Sequence, residues 1–279
     1  MATQRCSIET QHSDFAPSLS VIIPAFNEAE RLPSTLQRIV DYLDRRRTSY
    51  EIIVVDDGSK DGTSQLVAAL TRENRRIRLI SSASNMGKGA AVRRGMDAAK
   101  GDFRLFADAD GATPIEELAR LEAAINAGAD LAIGSRALAS RDHAYTVRAG
   151  RYRSTLGSLF NLVVQRLGVT GLSDTQCGFK LFRRAIAQDL FSVSCVDGYA
   201  FDLELLYIAQ QRRYRIAEIP VNWADQPGSK VRPWRDGMLM LREFVHVRRR
   251  DAQGHYGARY QAPADLLNPS LSAAEPSQP

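Results

Sequence analysis

Five short apolar runs alternate with longer amphipathic stretches through the first half of the chain, and that rhythm admits few folds. The runs are Leu19–Pro24, Glu51–Val55, Ile77–Ser81, Asp102–Ala107 and Asp130–Gly134. The stretches 28–47, 62–74, 87–100 and 114–127 between them read as helices. Strands that are apolar almost throughout must be covered on both sides. The pattern therefore predicts an α/β fold with a mainly parallel central sheet and helices on both faces. In the fourth helix Thr113 is a natural N-cap, Pro114 suits the first helical position and Glu116 completes a capping box. Ile115, Leu118, Leu121 and Ile125 then line one face, and Gly128 ends the helix.

Beyond Arg136 the rhythm loosens. Ala137–Thr146 reads as a mobile loop, and Thr155–Leu167 has apolar residues at helical spacing. An amphipathic helix is expected over 200–212, a strand over 215–221 and a basic amphipathic helix over 235–249. From Asp251 the composition turns to Pro, Gln, Ala and Ser, as in disordered tails.

No run approaches the roughly 18–20 apolar residues of a membrane-spanning helix. Met1–Pro17 is polar, without the apolar centre of a secretory signal. The expectation is a cytoplasmic protein, held peripherally at the cytoplasmic face of a membrane if its surface binds lipid. The apolar stripes of 155–167 and 238–247, the second followed by Arg248, Arg249 and Arg250, are the candidates for such contact; core packing is the alternative. The net charge of +5 fits an anionic partner, but the basic residues are dispersed and carry no nucleic-acid recognition motif, so no nucleic acid is expected. Three cysteines (Cys6, Cys177, Cys195) and four scattered histidines form neither a disulfide frame nor a histidine-built metal site.

Open α/β sheets bind ligands beyond the carboxyl ends of their strands. There this chain places Pro24-Ala25-Phe26-Asn27-Glu28, Asp56-Asp57-Gly58-Ser59, Ser84-Asn85-Met86-Gly87-Lys88-Gly89 and Asp108-Ala109-Asp110. Asp108 and Asp110 suit a hard divalent cation, Mg²⁺ or Mn²⁺, which takes oxygen ligands. The alternative is a solvated acidic turn capping the 114–127 helix. A carboxylate of Asp56 or Asp57 can accept a nucleobase N–H, or simply close a turn. Lys88 between glycines reads as a phosphate-facing loop whose glycines permit close backbone approach, without the full spacing of an ATPase loop.

The series VIIPAFNE, VVDDGSKDGT, NMGKGAA and DADGATP, followed by GSR, resembles the family-2 glycosyltransferases. The segments DTQCGFKLF, Ala200–Ala209 and Val221-Asn222-Trp223 with Gly228-Ser229-Lys230 resemble the dolichyl-phosphate β-glucosyltransferase branch. The resemblance covers about 19–248 and implies a GT-A type nucleotide-diphospho-sugar transferase fold. It implies domain limits of a flexible 1–17, a catalytic 18–250 and a disordered tail over 251–279. By that resemblance Pro24, Ala25, Phe26, Glu28, Asp56 and Asp57 hold the nucleoside, with Lys88 beside the phosphates, while Asp108, Ala109 and Asp110 hold metal and diphosphate. Arg136, Arg153, Ser229 and Lys230 match positions around the acceptor phosphate. Ala112, where the mannosyltransferases have a metal-binding Gln, favours UDP-glucose over GDP-mannose.

The implied reaction is inverting transfer of a hexose to a polyprenyl phosphate. Such an acceptor is already an anion and needs no base. For a hydroxyl acceptor Asp202 would be the candidate base; otherwise it organises the site, and Glu204 is structural. A non-catalytic nucleotide-sugar-binding protein is the alternative of another class.

Overall fold

A computed structural model describes residues 17–148, 163–226, 228 and 233–257. Arg153, Ser229, Lys230, most of the expected 155–167 helix, the first 16 residues and the last 22 lie outside the described residues. The strands are β1 (Leu19–Ala25), β2 (Tyr50–Asp56), β3 (Ile77–Ser81), β4 (Phe103–Ala107), β5 (Leu131–Ser135), β6 (Val147–Arg148), β7 (Phe179–Arg183), β8 (Ile216–Pro220) and β9 (Trp223–Ala224). The helices are α1 (Leu32–Arg45), α2 (Thr63–Glu73), α3 (Lys88–Ala98), α4 (Leu118–Asn126), α5 (Arg136–Ala139), α6 (Arg184–Val193), α7 (Phe201–Gln211) and α8 (Pro233–Ala252).

Seven strands form one sheet in the order β3-β2-β1-β4-β7-β5-β8, and β6 pairs with β9 apart from it. All pairings in the large sheet are parallel except those of β7, which runs antiparallel between β4 and β5. The expected mainly parallel α/β sheet is thus present. Side chains alternate across it as the strand period of two requires. Val21, Ile23, Ile52, Val54, Leu105 and Leu181 pack under α1, α2 and α4; Ile22, Ile53, Val55, Phe106 and Phe182 pack under α3, α6, α7 and α8.

Several local expectations need correcting. Pro114 is extended (φ −59°, ψ 142°), and the next turn, Ile115–Glu117, is a 3₁₀ helix, so the capping box of Thr113 and Glu116 does not form. Glu117 instead turns inward to accept a hydrogen bond from Asn222 Nδ2 at 2.5 Å. The 28–47 helix begins only at Leu32, because Arg31 N and Leu32 N are drawn into a turn on the Glu28 carbonyl. Ala137–Thr146 starts with the short helix α5, capped by the Ser135 hydroxyl. Helix α7 is not amphipathic: Phe201–Ala209 are all buried, because α3, α6 and α8 all pack against it.

The first residues of the tail expected from Asp251 are also corrected, over 251–257. Tyr256 is buried and donates to Glu204 Oε1 at 2.8 Å. Glu204, itself 0% exposed, also accepts from Cys195 N at 3.0 Å and Val196 N at 2.8 Å. The Asp197 carbonyl just beyond accepts from Gly89 N at 2.7 Å, at the start of α3. A tyrosine near the end of the described chain thus ties down the segment on which the Lys88 loop rests. Removing its hydroxyl leaves a buried carboxylate one donor short, and hydrogen bonds to charged groups are worth about 1.5–3 kcal/mol. Tyr256→Phe is expected to lose that much stability in urea unfolding with the slope unchanged.

Candidate active site

The parallel strands deliver their carboxyl ends to one edge of the sheet, and antiparallel β7 delivers its amino end to the same edge. Asp108 N donates to the Gly178 carbonyl at 3.1 Å, which joins the DADG turn to the DTQCGFK segment. A β-carbon on Gly178 would lie 1.9 Å from Asp108 Oδ2, so only glycine leaves room for that carboxylate. The turn is closed by Gly111, in the left-handed region at φ +62°, and by Ala112 N donating to Asp110 Oδ1 at 3.0 Å.

Two charged pairs sit side by side beneath this turn. Lys88 Nζ lies 2.7 Å from Asp108 Oδ1. Lys180 Nζ lies 2.6 Å from Asp202 Oδ1 and donates to the Cys177 carbonyl at 2.6 Å. Both ammonium groups lie over the Phe106 ring, at 5.3 Å and 5.8 Å from its centre. Burial opposes the charge on Lys88, but Asp108, Asp202 and Asp110 together hold its ammonium above the ordinary range. Burial, and then the charge of Asp108, push the Asp110 carboxyl up; Arg31, 3.9 Å away, pulls the other way. Burial likewise raises the Asp202 carboxyl despite Lys180.

Arg136 follows β5 and is gripped by Asp174 through Nε at 2.7 Å, Nη2 at 2.8 Å and its backbone N at 3.0 Å. Asp174 is buried, which would raise its carboxyl, yet Arg136 holds it below the usual carboxylate range. The guanidinium also lies over the Trp223 ring at 5.4 Å. Asp174 is fixed in turn by Glu218, which accepts from the backbone N–H groups of Ser173 and Asp174.

At the ends of β1 and β2, Pro24 and Ala25 are buried strand residues, and Glu28 holds Arg31 with two hydrogen bonds. Asp56 accepts from Ser59 N at 3.2 Å. Asp57 accepts from Met86 N and Gly87 N, both at 2.8 Å, so its visible task is to hold the third strand-end loop. That loop corrects one sequence reading. The close approaches made by Gly87 and Gly89 are to backbone, since added β-carbons would lie 2.3 Å from the Asp197 and Val196 carbonyls. The glycines let α3 dock on the 196–198 segment; they do not clear a path for phosphate.

The structure thus brings Asp108, Asp110, Lys88, Asp202 and Arg136 to one edge. Sequence reasoning did not single out Arg31, Lys180, Asp174 or Trp223 individually. Asp174, Lys180 and Trp223 lie in segments already conspicuous as motifs, and Arg31 lies three residues beyond the end of the first one. Among the described residues no group of three or more His, Cys, Asp or Glu could hold a metal by itself.

Glycosyl transferase family 2 matches over residues 20–191. The dolichyl-phosphate beta-glucosyltransferase of Dictyostelium discoideum is 40% identical over 82% of this chain and 73% of its own length. The human enzyme of that name is 39% identical over 85% and 76%. The Saccharomyces cerevisiae one is 36% identical over 82% and 74%. Among solved structures, glucosyl-3-phosphoglycerate synthase from Mycobacterium tuberculosis, in complex with Mn²⁺ and UDP-glucose, superposes with a TM-score of 0.60. It is 21% identical, over 88% of this chain and 81% of that one. Mannosyl-3-phosphoglycerate synthase from Rubrobacter xylanophilus gives 0.64 at 19% identity, over 89% and 78%. Identities this low speak to architecture alone, and the architecture is GT-A type. With the family match spanning the strand ends just described, and relatives this similar along most of its length, the chain belongs to glycosyl transferase family 2.

Proposed function

We propose that the protein transfers glucose from UDP-glucose to the phosphate of a polyprenyl lipid of the dolichyl type, with inversion at the sugar C1. The observation that carries this reading is the pairing of carboxylates with cations around the strand ends. Asp108 is matched to Lys88, Asp202 to Lys180, Asp174 to Arg136 and Glu28 to Arg31. Such a site is poor in proton acceptors and well suited to an acceptor that arrives ionised. The names of the relatives, dolichyl-phosphate beta-glucosyltransferases, agree with it.

In this reading the nucleoside lies over Pro24, Ala25, Phe26 and Glu28 beyond β1 and Asp56 and Asp57 beyond β2. Each Asp57 oxygen has a second lone pair, so the residue can take a nucleobase N–H without releasing its loop. Asp108 and Asp110, with the Ala109 backbone between them, suit Mg²⁺ or Mn²⁺. They offer oxygen donors only, and a hard cation would offset the burial and the Asp108 charge that together push the Asp110 carboxyl up. A bound cation would neutralise charge growing on the departing diphosphate. Lys88 adds a fixed positive charge on the same side.

The acceptor phosphate is held by Arg136, whose planar fork Asp174 and Trp223 keep oriented; the family resemblance adds Arg153, Ser229 and Lys230, which lie outside the described residues, as further candidates. An acceptor oxygen forms a bond to C1 as the bond from C1 to the β-phosphate oxygen breaks, and the electron pair leaves with UDP. No proton moves, so positioning and charge neutralisation supply the rate. Base catalysis by Asp202 on a hydroxyl acceptor is disfavoured, because its carboxylate is buried against Lys180.

Purified protein with Mg²⁺ or Mn²⁺, a short polyprenyl phosphate and either UDP-glucose or GDP-mannose tests the proposal by product mass. A glucosylated lipid phosphate from UDP-glucose alone is expected. Mannosyl product would overturn the donor assignment, and free glucose without lipid product would overturn the acceptor.

A further inference from the structure

Helix α8 presents a solvent-facing side of unusual composition. Its exposed residues from Arg235 to Arg249 are Arg235, Met238, Leu239, Arg242, Val245, His246, Arg248 and Arg249, and none is acidic. Two of the three acidic residues of α8 turn toward the body, Glu243 accepting from Ala200 N at 3.3 Å and Asp251 from the Tyr207 hydroxyl at 2.5 Å, while Asp236 is half-buried near Tyr199. Arg248 is also drawn inward, donating to the Leu167 carbonyl at 2.7 Å. At 3.6 residues per turn the other seven fall within one sector of about 120°. The opposite side, Met240, Phe244 and Val247, is buried in the core.

This face reaches the active site. Among the described residues the exposed large apolar side chains are Met86, Tyr199, Met238, Leu239 and Val245. Gly198 packs against Glu243 of α8, and Gly87 against Asp197, so the segment carrying Tyr199 rests on the helix and the loop carrying Met86 rests on that segment. Burial raises the Tyr199 hydroxyl, and the charges of Lys88, Asp236, Asp108 and Glu28 all act on it. Apolar groups therefore run from Tyr199 along a helix face whose exposed charges are all arginines, with half-buried Asp236 near Tyr199 and Asp197 held by Arg93. No helix among the described residues is long and apolar enough to cross a membrane.

We infer that the outer face of α8, with Tyr199 and Met86, docks on the surface of an anionic lipid bilayer. Met238, Leu239 and Val245 enter the headgroup boundary while Arg235, Arg242 and Arg249 meet lipid phosphates, the division of labour of an interfacial helix. The inference rests on the lipid-phosphate reading, since docking there sets the mouth of the site at the depth where such an acceptor carries its phosphate.

The test is co-sedimentation of the whole protein with vesicles of phosphatidylcholine containing about one-third phosphatidylserine, against phosphatidylcholine alone, at low salt. Wild type is expected to pellet with the anionic vesicles only. Each arginine near such a surface is worth about fivefold in partitioning, so R242E/R249E should lower binding at least 25-fold by that estimate, and L239D/V245D should also weaken it severely. Both variants are expected to keep wild-type transfer to a short, water-soluble acceptor while losing transfer to long-chain acceptor in vesicles. Equal binding to neutral vesicles, unchanged binding of both variants, or a dimer in sedimentation that both variants abolish would overturn the inference. Wild type that binds vesicles but transfers nothing to the short acceptor would instead overturn the functional reading and leave the docking face standing.

Discussion

Asp110→Asn is expected to lower glucosyl transfer by about two to three orders of magnitude, the scale attached to removing a principal electrostatic stabiliser of a transition state. It should do so without harming the fold, and should even raise stability. Burial and the neighbouring Asp108 push the Asp110 carboxyl above its ordinary range. Ionising it near neutral pH therefore costs the folded state free energy. The neutral amide removes that cost while retaining an oxygen for the Ala112 N–H. The sign follows from linkage: a carboxyl raised in the folded state favours folding at low pH and opposes it once ionised. The gain in the variant should be present at neutral pH and vanish in acid, where wild-type Asp110 is itself protonated. Turnover by product mass and thermal unfolding across pH check the two halves. A variant that is inactive and also less stable at neutral pH would mean that Asp110 serves the architecture.

The second large effect belongs to Lys180. Its ammonium is 1% exposed and Asp202 3%, and their charges face each other inside the protein. Taking away one member of such a pair strands the other, at a cost of about 3–5 kcal/mol. Lys180→Met should unfold at correspondingly lower urea. Replacing both members with apolar residues of similar size, Lys180→Met with Asp202→Leu, should recover most of the loss. A double-mutant cycle measures the coupling, and additive single effects would show that the pair is not a unit. The pH profile supplies a separate readout. If the acceptor is already ionised, Asp202→Asn alters rate and stability but leaves the acidic limb of the profile in place. Disappearance of that limb would restore Asp202 as a base.

The sheet, its helical cover and the edge at which the candidate site residues gather were legible because they rest on apolar periodicity and on where polar breaks fall. Leu19–Ala25 and Tyr50–Asp56 are buried along their whole length, as their composition implies. The direction of β7 was not legible, since Phe179–Arg183 has the same apolar look whichever way it runs. Nor was the failed capping box. Thr113 and Glu116 have the right spacing, but Pro114 keeps an extended ψ and long-range contacts to Asn222 take over that end of α4. Gly87 and Gly89 show the same limit. A glycine announces close approach, but only tertiary structure says to what, and here it is the backbone at 196–198. The unbroken burial of Phe201–Ala209 in α7 and the pairing of Lys180 with Asp202 belong to that class too, being set by neighbours remote in sequence.

The reversed strand between β4 and β5 has a consequence for how the molecule comes into being. On a ribosome β5 emerges before β7, yet β7 alone joins it to β4. The nascent chain can assemble the β3-β2-β1-β4 half as it appears, while Leu131–Ser135 waits with both edges open. An unpaired apolar strand is an invitation to aggregation until its partner arrives. Vectorial synthesis thus leaves a window of vulnerability that closes only when Phe179–Arg183 has threaded in. The same event brings Gly178 up to Asp108, so maturation of the sheet and completion of the proposed active site are a single step.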